Sequence, residues 1–317
     1  MIDLHYWDSD RMVSRRAALR SLACALALGG FTRARADKPN LSVEGTAVHL
    51  DVNARDFAGG AALIAEWLSR SANIVARYYG RFPVKELWLR IRSMPGAGVQ
   101  GGRTFADPDA RIEVRVGREV TAAQLTNDWV LVHEMTHLAL PDTGEEHAWL
   151  SEGIATYVEG VARVQAGNRT ELDVWEEEVR QMPRGMPQPG DAGLDRTHTW
   201  GRTYWGGAIF CLLADVDIRE RTHLKLGLQD ALRAVLRASG GLAADWPIER
   251  VLRTGDAAVG TTTLADLYAR MKDTPVAPDL PALWQRLGVV TEGGSVRLTD
   301  DAPLSAVRHA IMRPAAP

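Results

Sequence analysis

The chain has 317 residues, 46% of them hydrophobic and 24% charged, and its formal net charge is −3. This composition supplies ample material for a folded core. The absence of a basic excess argues against nucleic acid as a partner, and after Ala36 the sequence has no apolar segment as long as a membrane span. We therefore expect a globular protein with neither a nucleic-acid partner nor a stable membrane span.

The first residues predict an export signal. Residues 14–19 carry a twin-arginine pattern, residues 17–30 form an apolar run too short for a stable anchor, and Ala34-Arg35-Ala36 is a small-x-small cleavage site. An amphipathic first helix of the mature protein is the alternative. We predict a twin-arginine-type signal peptide over residues 1–36 of a bacterial protein, and hence a periplasmic or secreted location.

Periodicity predicts the next elements in chain order. Alternation of apolar and polar residues predicts three strands, at residues 41–52, 87–91 and 111–116. Helical spacing predicts a helix at residues 59–79, between the first two strands. A second helix is predicted at residues 121–140, with Thr121 as its N-cap and Pro141 as its terminator, and a third at residues 152–164.

The second half of the chain has mainly helical spacing. After a proline-rich loop at residues 183–190, helices are predicted at residues 204–216, 226–236, 264–271 and 281–287, and weak strand character follows at residues 295–298. Cys211 lies in an apolar run, which favours a core residue over a nucleophile.

These elements predict an α+β fold. We expect an α/β lobe with a small mixed sheet at residues 37–160, a helical lobe at residues 161–290, and a C-terminal tail at residues 291–317. The helices at residues 121–140 and 152–164 would lie at the junction of the two lobes.

The motif that carries chemistry is His133-Glu134-Met135-Thr136-His137. On a helix, H-E-x-x-H places two imidazoles one turn apart on one face, where they can share a zinc ion. Glu152 follows His137 by 15 positions and can supply a carboxylate oxygen as third ligand. Three protein ligands leave the fourth position for water, the arrangement of catalytic sites, and Glu134 can act as general base on that water. The alternative is a helix with two histidines at this spacing by chance.

This combination resembles the gluzincin metallopeptidases, in which H-E-x-x-H is followed by a helix similar to Trp149-Leu150-Ser151-Glu152-Gly153-Ile154-Ala155. In that clan the glutamate of the second helix is the third zinc ligand, and Glu152 matches it. The resemblance implies a thermolysin-like catalytic core with one zinc ion between the two lobes. It also implies that the substrate is a peptide or protein, hydrolysed by metal-activated water.

A second stretch resembles the aminopeptidase branches of the clan. Thr203-Tyr204-Trp205-Gly206-Gly207-Ala208 is similar to their Tyr-x-x-Gly helix start, whose tyrosine donates a hydrogen bond to the oxyanion. The resemblance gives Tyr204 this catalytic role. Residues 212–222 and 283–288 resemble the glycyl-aminopeptidase family most closely.

The chain departs from that family in two respects. Family members carry a large β-rich domain before the catalytic part and often a PDZ domain after it, and neither fits residues 37–120 or 289–317. Aminopeptidase relatives also have a glycine-rich edge strand whose glutamate holds the free amine of the substrate.

The corresponding stretch, residues 99–105, has Gly101 and Gly102 but Arg103 and no glutamate. We take these three residues, together with His198 six residues before Tyr204, as candidate substrate-binding residues. Whether a peptide would be cleaved at its end or in its middle stays open.

Two other functions remain as alternatives. An inactive, zinc-retaining binding protein of the cell envelope is one, although such a protein would not need Glu134. The other is a zinc hydrolase of a non-peptide amide, because the zinc chemistry would be the same.

Overall fold

A mixed five-stranded sheet occupies the first part of the chain in the computed structural model, which describes residues 41–314. The predicted signal peptide, residues 1–36, lies outside the described residues, as do the last three residues of the predicted tail. The strands are β1 (Leu41–Val43), β2 (Thr46–Asp51), β3 (Glu86–Met94), β4 (Val99–Phe105) and β5 (Arg111–Gly117), in the order β1-β2-β3-β5-β4. Strands β2, β3 and β5 are parallel, and β1 and β4 are antiparallel edge strands.

The strand predicted at residues 41–52 is in fact two strands, β1 and β2. The chain turns back at Glu44 and Gly45, which have φ values of 51° and 75°. Helix α1 (Gly60–Tyr79) then connects β2 to β3, as the periodicity predicted. One face of β3 and β5 belongs to the core and is lined by six apolar residues that are at most 5% exposed: Leu87, Leu89, Ile91, Ile112, Val114 and Val116.

The helix predicted at residues 121–140 is interrupted. It consists of α2 (Ala122–Thr126), capped by Thr121 as predicted, and α3 (Val130–His137). Asp128 causes the break, because its carboxylate accepts hydrogen bonds from the main-chain N–H groups of Val130 (3.0 Å) and Leu131 (3.1 Å) at the start of α3. The indole N–H of Trp67 on α1 also donates to Asp128, at 3.0 Å. The start of the motif helix is therefore fixed to α1.

The next helix, α4 (Ala148–Gln165), begins four residues before the predicted helix. The predicted boundary between two lobes, at residue 160, lies within it. Gly153 of α4 packs against Gly207, since a Cβ atom on Gly153 would lie 2.3 Å from the Cα of Gly207. Two helices can meet this closely only where neither has a side chain.

After α4, the described residues form mainly helices, together with one β-hairpin. The elements are α5 (Glu171–Gln181), α6 (Gly207–Arg221), α7 (Leu228–Ser239), α8 (Ile248–Val259), α9 (Thr263–Met271), α10 (Leu280–Leu287), β6 (Val289–Glu292), β7 (Ser295–Leu298) and α11 (Ser305–Met312). A π-helical turn, Arg202–Gly206, precedes α6. Three helices, α5, α8 and α11, were not predicted. Cys211 is 1% exposed, which confirms that it is a core residue. Among the described residues, no helix combines the length and apolar character needed to cross a membrane.

Candidate metal centre

Three side chains converge where α3 meets α4. The Nε2 atoms of His133 and His137 lie 3.1 and 3.4 Å from Oε2 of Glu152. One ligand atom from each residue can be chosen so that all lie within 4.8 Å of one another. Donor atoms about 2.0–2.1 Å from a tetrahedral zinc ion are about 3.3 Å apart, so both the distances and the donor set of two imidazole nitrogens and one carboxylate oxygen fit zinc.

The three ligand side chains are largely shielded from water and strongly coupled in charge. Their exposed fractions are 6% for His133, 12% for His137 and 23% for Glu152. Burial alone would raise the pKa of Glu152, but the charge of His137 and hydrogen bonds from both histidines outweigh burial and hold the pKa well below its usual value. Burial alone would lower the pKa of His137, but the charge of Glu152 and a hydrogen bond with it outweigh burial and raise that pKa. The Glu152 carboxylate is thus kept ionised, as a metal ligand must be. Its negative charge favours a cation between the imidazole rings of His133 and His137.

Helix α4 also orients His137, a candidate ligand that lies on α3. Ser151 Oγ lies 2.9 Å from Nδ1 of His137, which leaves Nε2 of that ring directed at Glu152. A partner at the second ring nitrogen fixes the orientation and tautomer of a metal-binding histidine. Sequence reasoning missed Ser151, although its position next to Glu152 was a usable signal.

Strand β4 lies directly over Glu134. The Thr104 hydroxyl is 2.6 Å from Oε2 of Glu134 and 2.9 Å from its main-chain oxygen. A Cβ atom on Gly102 would lie 2.6 Å from Cγ of Glu134, so the strand can approach only because this residue is glycine. The structure therefore places Gly102 at the site, together with Thr104, which the sequence did not reveal.

The other two β4 candidates lie differently. Successive side chains of a strand point to opposite faces, so Arg103 faces away from the side of Gly102 and Thr104. Its guanidinium carbon lies 5.3 Å from the ring centroid of Phe105, which shares that face. Gly101 has a φ of 125°, and a Cβ atom there would lie 2.9 Å from Nη2 of Arg115. The structure does not bring the side chain of Arg103 to Glu134.

Tyr204 lies in the π-helical turn and reaches two of the three candidate ligands, His133 and Glu152. Its ring is stacked on that of His133, with centroids 6.1 Å apart and an interplanar angle of 18°. Burial raises the pKa of Tyr204, as do the nearby charges of Glu152 and Glu134 and a hydrogen bond with Glu152. The phenol therefore stays neutral at neutral pH and can donate a hydrogen bond. Single π turns within helices occur frequently at functional sites.

A buried ion pair holds this turn. Nε of Arg202 lies 2.7 Å from Oδ2 of Asp191, with side chains that are 3% and 1% exposed, and Nη1 of Arg202 donates to the main-chain oxygen of Gly185 at 2.6 Å. Gly185 also packs on the turn, since a Cβ atom there would lie 2.3 Å from the main-chain nitrogen of Gly206. These contacts are made by tertiary packing and follow no local sequence pattern, which is why sequence reasoning did not find them.

The remaining candidate, His198, is exposed. In the part of the chain that the structure describes, no recorded contact connects it to the metal ligands. Its neighbour Trp200 stacks on Tyr204, with centroids 5.8 Å apart, and the guanidinium carbon of Arg184 lies 5.8 Å from the Trp200 ring. Trp200 thus contacts a candidate catalytic side chain.

Comparison with known proteins supports the fold. No protein-family model matches the chain, and no curated protein matches it in sequence. Among solved structures, an aminopeptidase N family protein from Idiomarina loihiensis is 15% identical over 83% of this chain and 52% of its own, with a TM-score of 0.56. An M1 zinc metallopeptidase from Deinococcus radiodurans is 15% identical over 70% of this chain and 46% of its own, with a TM-score of 0.44.

The chain spans about half the length of these solved structures, 52% and 46%. The likeness to the Idiomarina loihiensis protein shows a shared fold, a small mixed sheet followed by a helical part, and so confirms the predicted fold class at this level.

Proposed function

We propose that this chain is a zinc-dependent metallopeptidase of the gluzincin type with a thermolysin-like core. The observation that carries the proposal is the convergence of His133, His137 and Glu152, with ligand atoms within 4.8 Å of one another. Glu134 beside this set and a neutral Tyr204 stacked on one ligand add the groups that hydrolysis needs. The fold shared with an aminopeptidase N family protein is in keeping with it.

The residues divide the work of hydrolysis among them. His133, His137 and Glu152 would hold one zinc ion, which would supply Lewis-acid polarisation of the water and of the substrate carbonyl. Glu134 accepts a proton from the attacking water and then passes it to the leaving amine. Tyr204 donates a hydrogen bond to the oxyanion that develops on the carbonyl oxygen.

We further propose that cleavage occurs away from a free amino terminus. Strand β4, which lies over Glu134, presents Gly102 and Thr104 to the site, and neither can pair with an ammonium group as a carboxylate does. Glu134 and Glu152 already have roles as base and ligand. A peptide with a blocked amino terminus should therefore be hydrolysed at least as well as the free peptide.

The test is a peptide-library digest with the purified protein, read by mass spectrometry, with and without a chelator. Glu134→Gln serves as matched control, because the amide keeps the shape of the carboxylate but cannot accept the proton. Chelator-sensitive cleavage by the wild type alone supports the proposal. Zinc and peptide binding without cleavage would indicate the inactive binding protein, and cleavage restricted to non-peptide amides would indicate the other zinc hydrolase.

The proposed location is the periplasm or the exterior, by the twin-arginine route. Its support is the pattern at residues 14–19, outside the described residues. Changing Arg15 and Arg16 together to lysine should retain the protein in the cytoplasm, as measured by cell fractionation. Unchanged export of that variant would contradict the proposed route.

A further inference from the structure

We infer that Thr104 is a positioning residue for the catalytic base: its hydroxyl holds the Glu134 carboxylate in one orientation over Gly102. The inference rests on the proposed hydrolysis, in which Glu134 acts on water.

The contact has the geometry of a charge-assisted hydrogen bond. The distance between Oγ1 of Thr104 and Oε2 of Glu134 is 2.6 Å, within the range of O–H···O⁻ bonds. The same hydroxyl oxygen lies 2.9 Å from the main-chain oxygen of Glu134. Thr104 thus lies between the end of the Glu134 side chain and its own main chain, which restricts the rotamers that the carboxylate can adopt.

Gly102 completes the restraint from the same strand. A Cβ atom on Gly102 would lie 2.6 Å from Cγ and 2.9 Å from Oε1 of Glu134. Oε1 therefore lies against the bare backbone of Gly102 while Oε2 is held by Thr104, so both oxygens are located by β4. A long side chain such as glutamate loses rotamer entropy when it is fixed. A base that is fixed in advance does not lose this entropy during the reaction.

Another threonine of the same sheet provides the matched control. Thr46 on β2 is 2% exposed, and its hydroxyl donates to the main-chain oxygen of Val84 at 2.7 Å. Both threonines connect a strand to another segment through one hydroxyl, but only Thr104 contacts the catalytic base. If Thr104 merely fastens β4 to α3, the two Thr→Val changes should act alike.

The experiment compares Thr104→Val, Thr104→Ser and Thr46→Val with the wild type. Valine keeps the β-branched shape and strand preference but lacks the hydroxyl. For Thr104→Val we expect kcat to fall about 10–100-fold, the range for partners that orient a functional group, with KM and zinc content unchanged. Thr104→Ser should restore most of the lost kcat, and Thr46→Val should lower the melting temperature without changing kcat.

A readout independent of activity separates this inference from the proposed function. In crystal structures, the Glu134 carboxylate should occupy one position in the wild type and in Thr104→Ser, and should be displaced or in several positions in Thr104→Val. An unmoved carboxylate in Thr104→Val would overturn the inference even if no substrate were found. A wild-type kcat in that variant, or an equal loss in Thr46→Val, would also overturn it. A wild type without chelator-sensitive hydrolysis would instead refute the proposed function.

Discussion

The metal centre and the turn that carries Tyr204 are held in place in different ways. The candidate ligands His133, His137 and Glu152 lie on two helices that follow each other in the chain, and Glu152 contacts both histidines directly. Tyr204 lies on a turn that is held by packing contacts of its neighbours, including the buried Arg202–Asp191 ion pair. We expect loss of one ligand to abolish the metal site, and loss of one packing contact to shift Tyr204 only in part.

The largest effect should follow His137→Ala. Removing this ligand leaves two donors, so we expect zinc content near zero, hydrolysis at background level and a lower melting temperature, because the ion connects α3 to α4. Metal analysis of the purified variant measures the first effect. His223→Asn is the control, since His223 is exposed with a φ of 51°, a conformation that asparagine tolerates. Full zinc content in His137→Ala would remove this residue from the site.

Glu134→Gln should keep the metal and lose the reaction. The ligands are untouched, so zinc content should match the wild type, while loss of the general base should lower kcat by about 10²–10⁴-fold. Steady-state kinetics together with metal analysis separate the two effects. Glu145→Gln, at an exposed residue of the 3₁₀ turn before α4, is the control and should leave both unchanged. Wild-type hydrolysis by Glu134→Gln would contradict the mechanism.

Tyr204→Phe tests the turn that carries Tyr204 by removing only the phenolic hydroxyl. Phenylalanine keeps the ring stacked on His133 but removes the hydroxyl, so kcat should fall by about 10²–10³-fold with zinc content nearly unchanged. Tyr268→Phe is the control for the loss of a tyrosine hydroxyl, because the hydroxyl of Tyr268 donates to Asp195 at 2.7 Å. If Tyr204 were only a structural residue, its variant would instead lose about 1–3 kcal/mol of stability and keep its kcat.

Breaking the Arg202–Asp191 ion pair should have the smallest effect on the kcat of those molecules that still fold. Arg202→Met or Asp191→Leu leaves one buried charge without its partner, which should lower the free energy of unfolding by about 3–5 kcal/mol. The double variant should lose less than either single variant, because no charge stays buried. Denaturant unfolding measures stability, and kcat per bound zinc should fall less than in Tyr204→Phe. A larger fall in kcat would show that this pair controls the position of Tyr204 closely.

The features that could be predicted from the sequence are those that depend on the spacing and type of neighbouring residues. The distance between His133 and His137 follows from helical geometry, and helix α1 and the N-cap Thr121 follow from periodicity and residue type. The interruption of the motif helix follows from Asp128, which caps α3 through Val130 and Leu131, a local signal that was overlooked. Only the contact of Asp128 with Trp67, 61 positions earlier, requires knowledge of the tertiary structure. The contact of Thr104 with Glu134 likewise spans 30 positions and requires knowledge of the sheet order. The bound zinc ion, the export signal and the roles of individual residues stay predictions.

The unpredicted helices have a different explanation. Helix α5 begins with a capping box formed by Thr170 and Asp173, and α8 carries its buried Ile248, Val251 and Leu252 at helical spacing. These signals were present in the sequence and were overlooked. The missed contacts around Tyr204, in contrast, are tertiary and have no local signal.

The contact between Gly153 and Gly207 bears on how this protein can tolerate mutation. Gly153 follows Glu152, and Gly207 lies three positions after Tyr204, so the elements that carry these two candidate site residues meet through bare backbone. Core side chains elsewhere can change size and repack, but this junction contains no side chain whose size could vary. Genetic drift in the core should therefore leave the spacing between Glu152 and Tyr204 unaltered. Selection should act against any larger residue at either glycine, however stable the rest of the protein becomes.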